Sequence, residues 1–263
     1  MSSEAQLKFS LGKIKVPKAS EILTNFLREK ILDGTYAAGE SLPTERELAE
    51  VSGLSRASVR EALRMLETEG LISTRTGRTG GSAVQLPGQD ALDRSIDLFV
   101  RAQRVRFGTL LEVRETIEPQ LARLAALHRT EADLERLEQL QSDMGKAIGS
   151  FTDWTDLNIA WHEAVAAASH NSLLVAFWRA ISRMMRAAAN IDVLTDRPEL
   201  VAAVLKAHRR VLDAIQAGDG DAAARRMGRH VMAYSEHLRT QASTDIVLSA
   251  TFESIKNQDA ARL

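Results

Sequence analysis

Residues 42–81 read LPTERELAEVSGLSRASVREALRMLETEGLISTRTGRTGG, and this stretch decides the fold. Thr44 and Glu47 form the T-x-x-E pattern that caps the N-terminus of a helix, and Gly53 marks the end of that helix. Ser55 is placed to cap a second helix, which begins at the next residue. The stretch therefore predicts two helices joined by a tight turn, the arrangement of a helix-turn-helix.

The second predicted helix has two distinct faces. Its apolar stripe consists of Val59, Ala62, Leu63 and Leu66. Arg56, Arg60 and Arg64 recur every four residues on another face. Arginine holds phosphate through paired hydrogen bonds and also reaches both acceptors on a guanine edge in the major groove. The helix is thus predicted to be a recognition helix, the alternative being a packing unit whose arginines form a solvated face.

Short apolar elements flank this pair of helices. Residues 17–33 predict a preceding helix, with the apolar stripe Ile22, Leu23, Phe26, Leu27 and Ile31. Leu48 and Val51 are expected to face inward from the first helix of the pair. Residues 71–75 and 82–85 predict two strands around a basic, glycine-rich tip, which can lie close to a DNA backbone. The three helices and the hairpin predict a winged helix-turn-helix.

At LPTERELAE, SRASVREALRMLETEGLI and the glycine-rich tip, the sequence resembles the DNA-binding domain of the GntR family of bacterial transcription regulators. The resemblance implies double-stranded DNA as a partner. It assigns DNA contacts to Arg46, Arg56 and Arg60, phosphate contacts to Ser55 and Ser58, and wing contacts to Gly77 and Arg78.

Composition limits the other classes of function. The 263 residues are 44% hydrophobic, which suffices for two domains, and they include no cysteine. Disulfides, thiolate ligands and thiol nucleophiles are therefore excluded, and a reducing cytoplasm is the expected location. No apolar run is long enough for a membrane helix or typical of a signal peptide, so no membrane partner is expected.

The net charge is −1, and residues 1–88 hold twelve Lys plus Arg against eleven Asp plus Glu. This part of the chain has almost no net charge, but three of its arginines lie on one face of the predicted second helix. A DNA contact built on few arginines is weak and salt-dependent, which favours a homodimer on a palindromic operator.

The chain is predicted to be mainly α in four segments. Residues 1–17 form a mobile arm, 18–87 the winged helix-turn-helix with its small two-stranded wing, 88–248 an all-helical bundle of six or seven helices, and 249–263 a frayed tail. Capping signals in the bundle fall at Asp90, Thr109, Thr130, Thr152 and Asp221, and Pro198 suits a first helical turn.

Three histidines of the bundle lie on apolar faces at helical spacing. His208 and His230 fall among aliphatic residues, and His162 follows Asn158 by one turn. A buried imidazole without a partner costs about 1–3 kcal/mol. The three rings either converge on a divalent cation together with Asn158 or are satisfied core residues.

The segments EVRETIEPQLARLAA, NIAWHEAVAAASHNSLL and KAHRRVLDAIQAGDGDAAARRMGRHV resemble the FadR-type, or FCD, effector domain of one GntR subfamily. The resemblance implies a divalent ion held by Asn158, His162, His208 and His230. Zinc or nickel is expected because imidazoles dominate. Asn158 stands where Asp is commoner, so metal affinity should fall and an anionic effector should be attracted more strongly.

Arg114 lies at the edge of an apolar helix face and is predicted either to pair with Glu118 or, as the resemblance implies, to hold an effector carboxylate. Trp161, Arg183 and Arg186 are further effector-binding candidates. The sequence predicts a ligand-responsive repressor, not an enzyme, that a small organic acid such as lactate or a uronate shifts between two states of operator affinity. The alternatives are a metal-free regulator with a histidine-lined pocket and a metal-dependent hydrolase.

Overall fold

A computed structural model describes residues 17–75, 81–147, 151–188 and 198–241. The chain divides into two compact units between Gly88 and Gln89. The predicted tail at 249–263 and residues 1–16 of the predicted arm lie outside the described residues.

The first unit consists of three helices and one hairpin. They are α1 (Ala19–Leu32), α2 (Glu45–Ser52), α3 (Arg56–Thr68), β1 (Ile72–Arg75) and β2 (Gly81–Val84). The antiparallel strands pair Ile72 with Val84 and Arg75 with Gly81. Residues 39–42 run beside β2, where the Leu42 N–H donates to the Ser82 carbonyl at 2.8 Å. This architecture is the predicted winged helix-turn-helix.

The caps of the helix-turn-helix form as the sequence predicts. The Thr44 hydroxyl accepts from the Glu47 N–H at 3.3 Å, and the Glu47 carboxylate accepts from the Thr44 N–H at 2.8 Å. Gly53 ends α2 with φ of 69°, a left-handed conformation that glycine adopts without strain. Ser55 then caps α3 by accepting from the Ser58 N–H at 3.1 Å. The tight turn therefore follows from local chemistry.

The core of the first unit uses fewer apolar residues than the periodicity predicts. Leu27, Val59 and Leu66 are at most 1% exposed. Val51 is 91% exposed, so the prediction that it faces inward is wrong. Ile22 and Phe26 are 58% and 57% exposed, because only the side of α1 that carries Leu23, Leu27 and Ile31 packs against α3.

The second unit has seven helices within the described residues. They are α4 (Gln89–Ala102), α5 (Phe107–His128), α6 (Glu131–Lys146), α7 (Phe151–Ala168), α8 (Ser172–Ala188), α9 (Pro198–Gln216) and α10 (Gly220–Gln241). Its main core lies among α5, α6, α7, α9 and α10 and includes Trp161, Leu212 and Met227. The all-helical prediction is confirmed.

Some helix starts differ from the predicted caps. Thr130 caps α6 as expected, but α5 begins at Phe107, so Thr109 lies inside the helix. The start of α5 is held by Phe107, which is only 2% exposed. At α10 the cap is Asp219, whose carboxylate accepts from the Ala222 N–H at 2.9 Å, rather than Asp221.

Helix α5 packs closely against α10, and this contact places the functional residues of both. A Cβ atom on Gly220 would lie 3.3 Å from the Arg123 carbonyl oxygen, so glycine permits the approach of the two backbones. Further along the same pair of helices, the Arg114 guanidinium lies 5.5 Å from the centre of the Tyr234 ring. The packing therefore brings charged groups of α5 beside polar groups of α10.

Replacing Leu66 by Ala should destabilise the first unit by about 2–5 kcal/mol, because it leaves a cavity in a fully buried position. Val51→Ala is the matched control and should change stability by less than about 0.5 kcal/mol, since that side chain is exposed. Hydrogen exchange of α3 amides measures both. Equal losses of stability in the two variants would contradict the assignment of Leu66 to the core and of Val51 to the surface.

Candidate functional site

The exposed face of α3 carries the basic residues predicted to bind DNA. Arg56, Arg60 and Arg64 are all exposed and follow one another at single-turn spacing. Among the described residues neither Arg56 nor Arg64 forms an ion pair, and Arg46 lies 3.8 Å from Glu50 with most of its side chain exposed. Guanidinium groups on an exposed face are available to an anionic partner.

Arg60 is held in place by α2. Its Nη2 lies 3.0 Å from Glu45 Oε2, and its Nε lies 3.2 Å from Glu45 Oε1. The hydrogen bonds from Arg60 hold the pKa of the Glu45 carboxyl below its usual range. The pair orients one guanidinium of the recognition helix, whereas Arg56 is left without such a partner.

The other predicted DNA contacts are placed as follows. The Ser55 and Ser58 hydroxyls lie 3.0 Å apart at the start of α3, where unpaired backbone N–H groups and the helix dipole favour an anion. Gly77 and Arg78 lie in residues 76–80, outside the described residues. The DNA contacts of all these residues remain predictions.

A second cluster lies inside the helical unit, where α7, α9 and α10 each contribute one histidine. His208 Nε2 lies 3.0 Å from His230 Nε2, which lies 3.3 Å from His162 Nε2. The three side chains are between 0% and 9% exposed. The structure therefore brings together the three histidines that the sequence singled out.

A carboxylate orients one of these rings. His162 Nδ1 lies 2.6 Å from Glu118 Oε2, and the other oxygen of Glu118 accepts from Arg114. Because an ionised carboxylate only accepts, Nδ1 carries a proton, and in the neutral ring the Nε2 lone pair then faces the other two histidines. Burial would raise the pKa of Glu118, but Arg114 and His162 together hold it well below its usual range.

The Arg114 to Glu118 ion pair is one of the two alternatives that the sequence left open. Both residues are largely buried, so Arg114 cannot be described as a free anion receptor. Sequence reasoning named Glu118 only as a partner of Arg114 and missed its contact with His162. The available signal was an acidic residue one turn after Arg114 on the apolar side of the helix.

Asn158 and His162 line one small cavity of about 60 Å³ together with Arg114, Arg186 and Tyr234. Asn158 Oδ1 is buried and accepts no hydrogen bond from the described residues. A buried acceptor without a donor is costly, so this oxygen needs a cation or a donor from a bound molecule.

The other effector-binding candidates occupy different places. Trp161 does not line the cavity, because its ring is fully buried and stacks on His208 at a centroid distance of 3.8 Å. Arg183 lines a neighbouring cleft, where its Nη1 lies 2.6 Å from the buried Asp93. Arg186 lines the cavity and pairs with Asp156 on its rim.

The residues of the cluster fit a divalent cation. Imidazole nitrogens about 2.0–2.1 Å from a tetrahedral zinc ion lie about 3.3–3.4 Å from one another, close to the two N···N distances of the cluster. Burial lowers the pKa of His208 well below its usual value and that of His230 to about 3, so both rings are neutral at pH 7. Neutral rings with one oriented lone pair are the form that binds metals.

Comparison with known proteins defines the class of the chain. Residues 20–80 match the family described as bacterial regulatory proteins, gntR family, and residues 109–233 match the FCD domain. The Glc operon transcriptional activator of Escherichia coli K12 is 32% identical over 203 residues, covering 74% of this chain and 79% of that protein. The galactonate operon transcriptional repressor of the same strain is 32% identical, covering 75% and 86%.

A solved structure, Streptococcus agalactiae GntR, superposes with a TM-score of 0.58 at 27% identity and covers 82% of this chain and 99% of its own. The fold and the matches define a DNA-binding transcription regulator with an effector domain, and not an enzyme. The chain belongs to the GntR family, with an FCD domain after its winged helix-turn-helix. No helix among its described residues is long and apolar enough to cross a membrane.

The metal-free protein should lose stability as the pH falls below about 6.5. Unfolded histidines titrate near pH 6.5, whereas burial keeps His208 and His230 neutral in the folded chain, so the unfolded state binds more protons. Each histidine should contribute a slope of up to about 1.4 kcal/mol per pH unit. Urea unfolding after chelation, followed by tryptophan fluorescence between pH 7.5 and 5.5, measures the slope. If a His208→Gln, His230→Gln double variant shows the same slope of unfolding free energy against pH, the two histidines are not its cause.

Proposed function

We propose that the chain is a cytoplasmic homodimeric repressor that binds a palindromic operator and responds to a small carboxylate held beside a divalent ion. The observation that carries the DNA part is the exposed row of Arg56, Arg60 and Arg64 on a capped α3. Contacts to phosphates position such a helix, and arginine contacts to guanine edges select the sequence.

Arg60 and Arg56 on α3 are suited to different roles, because an ion pair orients Arg60 and not Arg56. Glu45 holds Arg60 in one direction at little entropic cost on binding. Arg56, which forms no ion pair within the described part of the chain, can adapt its guanidinium to a base edge or a phosphate. A single recognition helix with these few cations binds weakly, so a dimer on two half-sites supplies the affinity.

The divalent ion is proposed at His162, His208 and His230, with the Asn158 oxygen as a fourth ligand. The N···N distances, the orphaned Asn158 Oδ1 and the carboxylate behind His162 support this set. Zinc and nickel suit three imidazoles and one neutral oxygen. When bound, the ion supplies positive charge that attracts an anionic effector.

The size of the cavity restricts the effector. A volume of about 60 Å³ is well below the roughly 300–1,000 Å³ of sites for drug-sized ligands. A short hydroxy acid such as lactate therefore fits better than a uronate, which would require the cavity to widen. Arg186 is the cation better placed for the carboxylate, because its pair with Asp156 is exposed and therefore weak, whereas Glu118 holds Arg114 in a buried pair.

A metal-free regulator is the second candidate. The 3.0 Å separation of His208 Nε2 and His230 Nε2 also suits an N–H···N hydrogen bond, which would satisfy both atoms without an ion. His208 Nδ1 is buried without a partner among the described residues in either arrangement, so it does not distinguish them. The metal site remains the first proposal because a third ring, His162, meets this pair and Asn158 Oδ1 is also left without a donor among the described residues. In either case the effector acts by favouring one of two states that differ in operator affinity.

Arg56→Ala should weaken binding to an operator selected from random DNA by the wild-type protein by at least about ten- to a hundred-fold, because one bidentate base contact is worth about 1–3 kcal/mol and the dimer would lose two. Fluorescence anisotropy at fixed salt measures the dissociation constant. Lys30→Ala, which removes an exposed cation of α1 outside the helix-turn-helix, is the control and should bind normally. An Arg56 variant with wild-type affinity would refute the recognition-helix assignment.

Glu118→Gln should lower zinc or nickel affinity by about ten- to a hundred-fold, because the amide no longer accepts the proton of His162 as a carboxylate does. Isothermal titration calorimetry of the chelated protein gives the affinity, and Glu112→Gln on the exposed side of α5 is the control.

His208→Ala should abolish metal binding and also the release of operator DNA by lactate. A wild-type protein that takes up no ion but still responds to a carboxylate would favour the metal-free regulator. Metal binding that is equal in the Glu118 and Glu112 variants would refute the role of Glu118.

A further inference from the structure

A second cavity, of about 330 Å³, lies along the outer seam between α9 and α10. The two helices are joined by residues 217–219 and run antiparallel, since Arg226 near the start of α10 donates to the Arg210 carbonyl near the end of α9. Leu200, Ala203 and Ala207 line the seam at helical spacing from α9, and Ala233 faces them from α10. Short side chains on both helices leave an apolar trough, called here the α9/α10 groove.

The α9/α10 groove carries positive charge that the described residues do not neutralise. Arg210, Arg226 and Arg229 line it, and none of them forms an ion pair with a carboxylate in the described part of the chain. Arg209, one residue from Arg210 but outside the groove, pairs with both Glu138 and Asp213. The cavity beside the histidines likewise has its arginines paired. Among the described cavities that contain arginines, this groove therefore differs in combining an apolar trough with arginines that have no carboxylate partner in the described part of the chain.

We infer that the α9/α10 groove is a second ligand site, which takes an amphipathic anion with a carboxylate head and an unbranched apolar body. The head would lie among Arg210, Arg226 and Arg229, and the body would run over the alanines toward Leu200. Ala203 and Arg210 are seven residues apart, which spans about 10 Å along a helix. A volume of about 330 Å³ is in the range of small-molecule sites.

The α9/α10 groove shares a wall with the histidine cluster. His230 lines the groove, and its Nε2 contacts the other two histidines. Tyr234 lines both the groove and the small cavity. An amphipathic anion in the groove therefore touches the same turn of α10 as a ligand at the histidines, so the two sites are coupled through this turn. The proposed head position at Arg210, Arg226 and Arg229 includes none of the proposed metal ligands, so occupancy of the groove does not require the ion.

Decanoate, below its micelle concentration, is the probe for calorimetry with the full chain after chelation. It should bind one molecule per chain, and decyltrimethylammonium, which has the same body and the opposite charge, should not. Arg229→Gln should weaken decanoate binding about ten-fold or more, while Arg225→Gln, which removes an exposed arginine outside the groove, should leave it unchanged.

Filling the trough gives an independent test. Ala233→Trp should abolish decanoate binding, and Ala202→Trp on the exposed side of α9 should not, with circular dichroism confirming that both variants fold. Equal binding of the two amphiphiles, or unchanged binding in the Arg229 and Ala233 variants, overturns the inference. His208→Ala must retain decanoate binding. Loss in that variant would assign the anion to the histidine cluster and overturn the second site, whereas failure of metal binding alone would leave it standing.

Discussion

The helical unit is organised around one buried carboxylate. Glu118 lies between the Arg114 guanidinium and the His162 ring, and only 2% of its side chain is exposed. A buried charge is tolerated only when it is paired and hydrogen-bonded, so these two partners must be in place for α5 and α7 to pack. The same contacts choose the tautomer of His162 and thereby direct its free lone pair toward His208 and His230.

The arginines of this chain fall into two groups, those paired with carboxylates and those with few partners among the described residues. In the helical unit Arg114, Arg183 and Arg186 are paired with carboxylates, and the pair of Arg114 is buried. On α3 and along the α9/α10 groove the arginines face solvent with fewer partners. Since an ion pair must be broken before its cation can bind another anion, the unpaired arginines are the stronger indicators of a binding surface.

Local signals predicted the first unit well because its structure is local. The Thr44 and Ser55 caps and the Gly53 turn each depend on residues within four positions, so sequence alone could place them. The errors at Val51, Ile22 and Phe26 have one cause. Helical periodicity identifies apolar faces, but which of them is covered depends on the partner helix, and in this unit only part of each stripe meets one.

Sequence by itself determined the winged helix-turn-helix, the all-helical second unit and the residue types of the cluster, since caps, periodicity and the inward spacing of three histidines are encoded locally. Tertiary packing alone decided that Nε2 atoms from α7, α9 and α10 meet within about hydrogen-bond distance, that Glu118 also contacts His162, and that Trp161 stacks behind His208. Glu118 and His162 are 44 positions apart in the sequence, and His162 and His230 are 68 apart. No local rule specifies contacts between residues so distant in the chain.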